Sequence, residues 1–257
     1  MVEPEEPKFS AVVFKIQANM DPADRDRIAF LRVASGHFER GMRLKVVRSG
    51  KELRPNTVVS FLSQRRELQD EAFAGDIIGS PNHGVLQLSD TITEGEALQF
   101  TGLPFFAPEM FRSVEVADPL KTKQLKAGLQ QLGEEGAIQV FRPVAGSVLL
   151  LGAVGQLQFE VVAHRLEHEY GVKARITPSR FQVARWVTCA PEDGGEAELK
   201  RFINANDFRM AYDAVDAPTV LVEYAPELRA IEANWPKIKF HALREHAGLV
   251  FQQRLDG

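Results

Sequence analysis

Cysteine is nearly absent from this chain of 257 residues: Cys189 stands alone. A single thiol excludes an internal disulfide framework and fits a reducing cytoplasm, where the protein is expected to reside. Long apolar runs are missing as well, and none approaches the ~20 residues a membrane-spanning helix needs. The first residues, MVEPEEPKFS, lack the basic and apolar regions of a signal peptide. Acidic and proline-containing, they read as a linker, so the chain is expected to start at an internal domain boundary behind an added Met1. Also missing is a phosphate-binding loop. Gly36-x-x-x-x-Gly41 has the spacing, but Met42-Arg43 follows where Lys-Ser/Thr is required, and Gly79 to Gly84 is followed by Val85-Leu86. Lys and Arg are absent from Glu67 to Phe111, a stretch with eight acids, whereas Arg25 to Arg66 carries eleven Lys/Arg against three acids. Such segregation either builds one basic face or is paired across neighbouring strands, and the sequence leaves both readings open. The net charge of −4 argues against general nucleic-acid binding.

What is present is ordinary globular composition, 44% hydrophobic and 26% charged, enough for one or two domains with full cores. Up to about Pro108 the chain reads as short strands separated by Gly, Asn and Pro. These are Phe9–Gln17, Ile28–Ala34, Met42–Arg48, Val58–Leu62, Ile77–Ile78, Val85–Leu88 and Ala97–Phe100. That spacing predicts a β-barrel over residues 1–108. Residues 36–41 read as a connection and 19–27 as a hairpin tip. Asp76 reads as a turn residue, with Ile77 and Ile78 filling the barrel.

After the LPFFAP segment at 103–108 the pattern becomes α+β over residues 109–257. A strand at Arg112–Ala117 leads to Asp118-Pro119, an N-cap with proline at the first helical position. Leu125, Leu129 and Leu132 make a helical stripe, with Gly133 as its stop. Strands at Ala137–Arg142 and Ser147–Ala153 follow. A helix over Leu157–Tyr170 has Phe159, Val162, Leu166 and Tyr170 inward and Gly171 as its stop, and Val172–Thr177 closes the set. The order β-α-β-β-α-β predicts a ferredoxin-like, split βαβ topology. It then repeats through Gln182–Cys189, Glu196–Asn204, Phe208–Val215, Thr219–Tyr224, Pro226–Asn234 and Lys237–Leu243. No residue-level self-similarity accompanies the repeat, so one domain, or two halves at 109–180 and 181–257, both fit.

Catalytic and metal-binding constellations are weak. His164 and His168 stand at i, i+4 within H-R-L-E-H, not H-E-x-x-H, and no third ligand is suggested. Cys189 sits in an apolar strand and reads as packing. Ser35, Ser147 and Ser179 lack a Gly-x-Ser-x-Gly setting. The residues predict no active site and no metal.

Several runs resemble the translational GTPases. They are Phe14 to Pro22, Arg32 to Gly41, and Ala74-Gly75-Asp76-Ile77-Ile78-Gly79 with the Asp90-Thr91-Ile92-Thr93 ending. Within that family, Asn82-His83-Gly84, Asp118 to Lys121, Gln131 to Ala137, Gln139 to Pro143, Gly152 to Phe159, Ala184 to Val187 and Lys239 to His246 are similar to the class II release factors. The resemblance covers almost the whole chain, except past Gly248. It implies the second and third domains of a ribosome-dependent GTPase that removes class I release factors in translation termination, with the GTPase domain preceding. On that implication GTP and Mg belong to the missing domain, and this segment is not an enzyme and holds no cofactor. Its partners are the ribosome (rRNA and ribosomal proteins), its own GTPase domain and, functionally, class I release factors; no membrane is involved and a monomer is expected. Ribosomal phosphate calls for arginine, and the candidates are Arg40, Arg65, Arg66, Arg142, Arg180 and Arg244. The alternative is a free-standing RNA- or protein-binding module that has no GTPase.

Overall fold

The computed structural model describes residues 2–18, 27–55, 58–62, 65–100 and 104–245, with backbone alone at 18, 59–62, 65–68, 104, 105, 244 and 245. The hairpin tip expected at 19–27 and the chain past Gly248 therefore lie outside the described residues, apart from Arg27. The chain divides into two compact units between residues 103 and 104.

The first unit is built from Ser10–Ala18 (β1), Arg27–Ser35 (β2), His37–Glu39 (β3), Leu44–Val46 (β4), Glu52–Leu53 (β5), Val59–Leu62 (β6), Arg65–Leu68 (β7), Glu71–Phe73 (β8), Ile77–Asn82 (β9) and Thr91–Thr93 (β10). Eight of these form one antiparallel sheet in the order β5-β4-β10-β1-β2-β9-β6-β7, and β3 pairs with β8. Strand alternation sends one parity inward. Ala11 and Val13 from β1, Ala29, Leu31 and Val33 from β2, Leu44 and Val46 from β4, Ile78 from β9 and Ile92 from β10 converge on a single core. This is the barrel-type fold the spacing predicts. Gly36 has φ +70 and passes so close to Lys8 that a Cβ would lie 2.5 Å from the Lys8 carbonyl carbon, so only glycine fits there.

Two expected strands are not strands. Val85–Leu88 is a loop because the Asn82 side chain takes the backbone amides a neighbouring strand would have taken. Ala97–Phe100 joins no ladder: β10, not expected as a strand, already has β1 on one side and β4 on the other, and the Phe100 amide donates instead to Thr91 Oγ1 at 2.9 Å. Ile78 is 2% exposed and fills the core, but Ile77 is 41% exposed and faces outward, as strand alternation requires.

The second unit contains Pro104–Phe106 (β11), Met110–Val116 (β12), Thr122–Glu134 (α1), Gln139–Pro143 (β13), Leu149–Ala153 (β14), Gln156–His168 (α2), Ala174–Pro178 (β15), Val183–Cys189 (β16), Gly195–Ala205 (α3), Met210–Tyr212 (β17), Pro218–Val222 (β18), Ala225–Asn234 (α4), Ile238–His241 (β19) and Leu243–Glu245 (β20). Its main sheet has the order β15-β12-β14-β13-β17-β18-β16-β19. Each half carries its strands as fourth, first, third, second, which is the ferredoxin-like arrangement. The halves meet edge to edge through their second strands, with Arg142 opposite Tyr212 and Pro143 opposite Ala211. The repeated order thus becomes one continuous sheet.

Alternation assigns each sheet face its own core. On the helix-covered face, Val114, Val140 and Leu151 pack on Leu125, Leu129, Leu132, Phe159, Val162 and Leu166 in the first half. Val187, Met210, Val220 and Val222 pack on Leu199, Phe202, Leu228 and Ile231 in the second. On the other face Phe111, Phe141 and Leu150 from the first half join Ala184, Ala211 and Leu221 from the second in one shared cluster. Burying a Leu or Phe contributes roughly 1.5–3 kcal/mol, so this shared cluster ties the halves together.

The capping chemistry at the start of α1 is as expected. Asp118 accepts from the Leu120 amide at 3.0 Å and Pro119 opens a 3-10 turn that leads into the helix. Its expected stop at Gly133 is not one. The helix continues to Glu134, and the left-handed residue that ends it is Gly136, at φ +75.

Candidate functional site

The loop after β9 is the best-defined polar feature of the first unit. Asn82 is 3% exposed, and its Oδ1 accepts from the amides of Gly84 (3.1 Å), Val85 (3.0 Å) and Leu86 (3.0 Å). Its Nδ2 donates to the Leu86 carbonyl at 2.9 Å. One short side chain therefore replaces the ladder that this segment lacks, the use Asx residues have in turns. Beyond it, Asp90, also 3% exposed, accepts from Arg48 Nε at 2.5 Å and Nη2 at 2.8 Å, a bidentate pair, and from the Gln87 amide at 2.8 Å. The carboxylate holds the Arg48 guanidinium above its usual pKa against the opposing effect of burial.

That pair bears on the segregated charge. Arg48–Asp90 and Arg40–Asp70 (3.1 Å) both join the basic stretch to the acidic one. The remaining basic side chains include Arg43 and Lys45 beside β4 and Lys51 and Arg54 beside β5, all exposed. No ion pair involves these four among the described residues. Leu44 pairs with Leu53 and Lys45 with Glu52, so the register brings Arg43 opposite Arg54 on the outward face of the sheet's edge hairpin. Both readings of the charge pattern hold in part: some charges are paired, and one basic edge is left open.

The expected arginines are not gathered in one place. Arg40 belongs to the first unit and is paired with Asp70. Arg142, on β13, ion-pairs with Asp216 and donates to the Asp213 carbonyl at 3.2 Å. Arg180 lies over the Phe181 ring, 4.9 Å from its centroid, and 3.4 Å from Glu223. Arg65 and Arg66 pair through their backbones with Leu62 and Phe61, and Arg244 lies in β20; their side chains are outside the described residues. Arg43, Lys45, Lys51 and Arg54 were not singled out by sequence, although the alternation Arg43-Leu44-Lys45-Val46 carried the signal.

A second polar hub sits beside Arg142. Asp213 is 4% exposed; its Oδ1 accepts from the amides of Val215 (3.0 Å) and Ala217 (2.9 Å), and its Oδ2 from Trp186 Nε1 at 3.0 Å. Elsewhere, His164 and His168 stack at 4.0 Å on the exposed side of α2. His168 Nδ1 is 2.9 Å from the His164 carbonyl. No group of three potential metal ligands occurs among the described residues. Cys189 is buried, and burial raises its thiol pKa. Asp76 Oδ2 accepts from the Phe73 amide at 2.9 Å and holds a turn. No helix among the described residues is long and apolar enough to cross a membrane.

The first unit is that of a translation factor: residues 8–95 match the family described as Elongation factor G domain 2. Residues 100–232 match the family described as Class II release factor RF3, C-terminal domain, just over half of the chain. The chain belongs to the peptide chain release factor 3 family. It is 70% identical over 249 residues to "Peptide chain release factor 3" of Nitrosomonas eutropha, covering 97% of this chain and 46% of that protein. It is 67% identical over 255 residues to the protein of the same name from Bordetella avium, covering 99% and 47%. The chain thus spans about half the length of the curated relatives it matches. A crystal structure of a Thermus thermophilus protein is similar in fold, with a TM-score of 0.58 and 23% identity over 72% of this chain and 29% of that one.

Proposed function

We propose that this chain is the ribosome-binding C-terminal portion of a peptide chain release factor 3. In the whole protein it works with a GTPase domain to recycle class I release factors from the ribosome in the cytoplasm. The observation that carries the reading is the 70% identity over 97% of the chain to a peptide chain release factor 3 twice as long. On this reading GTP and Mg bind outside the segment, which itself hydrolyses nothing, in keeping with the failure of both Gly-spaced stretches at the Lys-Ser/Thr position. The role of the two units is to dock, and the exposed Arg43, Lys45, Lys51 and Arg54 edge, which forms no ion pair among the described residues, is the favoured phosphate contact. Arg40, Arg142 and Arg180 must first exchange an acidic neighbour for phosphate, though exposed pairs of this kind hold by only about 0–1 kcal/mol.

Co-sedimentation with bacterial ribosomes across a salt series tests the proposal. Binding should weaken with salt, and Arg43→Glu with Arg54→Glu should lower the log–log slope by roughly 0.7–0.9 for each phosphate no longer neutralised. Salt-independent retention, or no retention at low salt, would count against docking through these units.

A further inference from the structure

We propose that His164 and His168 form a two-point chelate for a borderline transition-metal dication such as Zn2+. In α2 they stand four residues apart, the spacing that puts two imidazoles on one face in helical zinc sites. Spacing alone is a weak signal, and the folded chain adds ring geometry, a fixed tautomer and a favourable charge environment.

The two rings are already together. Their centroids lie 4.0 Å apart with 16° between the planes, and both residues are exposed. Two nitrogens held tetrahedrally by Zn–N bonds of about 2.0–2.1 Å stand roughly 3.4 Å apart, so a small rotation of these rings closes the chelate. His168 Nδ1 is 2.9 Å from the His164 carbonyl. A carbonyl only accepts, so in the neutral ring Nδ1 carries the proton and Nε2 keeps the lone pair a metal needs. An imidazole whose second nitrogen is held by a carbonyl is the arrangement metal-bound histidines use.

The surroundings favour a cation. The pair occupies the last turn of α2, at the negative end of the helix dipole. Arg165 beside it is neutralised by Glu135 and Glu169, each at 2.7 Å. The exposed Glu160 and Glu167 form no ion pair among the described residues, so the local balance is negative. Imidazole nitrogens suit zinc, copper and nickel, whereas magnesium and calcium take oxygen ligands. Two protein nitrogens leave the other positions on the ion to water. The inference is independent of ribosome docking, since neither histidine belongs to the basic edge.

The test is a titration of the full chain with zinc chloride, and in parallel with magnesium chloride, followed by 1H–15N NMR of the histidine rings. Saturation at one zinc per chain is expected, with His164 and His168 Nε2 shifting together, the remaining histidines unmoved and magnesium without effect. His164→Ala and His168→Ala, both at exposed positions, should each weaken zinc binding at least about tenfold, because the second nitrogen no longer binds intramolecularly. A smaller loss in either variant, a shift of one ring alone, failure to saturate, or the same response to magnesium would overturn the assignment.

Discussion

Replacing Asn82 by alanine tests whether one side chain ends β9 and shapes the loop that follows. The substitution removes the acceptor for three amides, at 3.0 to 3.1 Å, and the donor to the Leu86 carbonyl at 2.9 Å. The amides of Gly84 and Val85 are part-buried, and water can reach them in the variant. The Leu86 N–H and C=O are buried and cannot be served that way. Each buried group left unpaired costs about 1–3 kcal/mol, so the pair gives roughly 2–5 kcal/mol after partial relaxation. For a unit of this size, about 4–8 °C of melting temperature per kcal/mol makes the loss easy to resolve. Both tryptophans, Trp186 and Trp235, lie in the second unit and do not report on the first. Hydrogen exchange at barrel amides is therefore the assay, with Ser89, whose N–H donates to the Val13 carbonyl at 2.7 Å, as the reporter beyond the loop. Protection there should fall with Asn82→Ala while tryptophan emission stays unchanged. A loss under about 0.5 kcal/mol would mean that water replaces the side chain, and the account of the loop would fail.

Two further outcomes concern the second unit. Asp213→Asn should destabilise by about 1–3 kcal/mol and alter Trp186 emission, because both carboxylate oxygens accept hydrogen bonds and an amide supplies only one acceptor; an unchanged denaturation midpoint would refute this. His241, bonded to Thr188 Oγ1 at 2.8 Å, has its pKa lowered by burial, so the unfolded chain binds the proton more readily. Its contribution is present above the ordinary histidine pKa of about 6.5 and is lost as pH falls through and below that value. His241→Gln should flatten the acid limb of a stability–pH profile below about pH 6.5.

The α+β unit was legible because its helices carry their cores at helical spacing. Leu125, Leu129 and Leu132 are all buried, as are Phe159, Val162 and Leu166. Its strands alternate, and the two parities feed different clusters, as Phe141 and Val140 show. The barrel was harder. Residues 65–68 and 71–73 are charged and short, and nothing in Arg-Arg-Glu-Leu or Glu-Ala-Phe marks a strand until a partner is present. His37–Glu39 reads as a connection for the same reason; β8 supplies its ladder. The basic edge at Arg43 to Arg54 was visible as alternation but could not be weighed, because the partners of basic residues are fixed by folding. Arg48 is taken by Asp90, 42 positions away, and its neighbours are not taken.

The loop at Val85–Leu88 and the turn at Asp213 expose a common limit. By apolar content Val85-Leu86-Gln87-Leu88 is a strand, and Asp213 falls inside the expected strand Phe208–Val215, whereas the observed strand stops at Tyr212. In the folded chain Asn82 and Asp213 are among the most buried polar residues, and each closes a turn by accepting two or three backbone amides. Periodicity decides which face of an element is buried, since that depends on many residues adding small terms of the same sign. Where an element stops depends instead on one residue that outcompetes the next strand for a few amides. A single side chain leaves no period to detect. That is why the ends of β9 and β17, and the register of the loops beyond them, were the parts sequence pattern could not supply. It is also why substitutions at Asn82 and Asp213 should cost more than their modest size suggests.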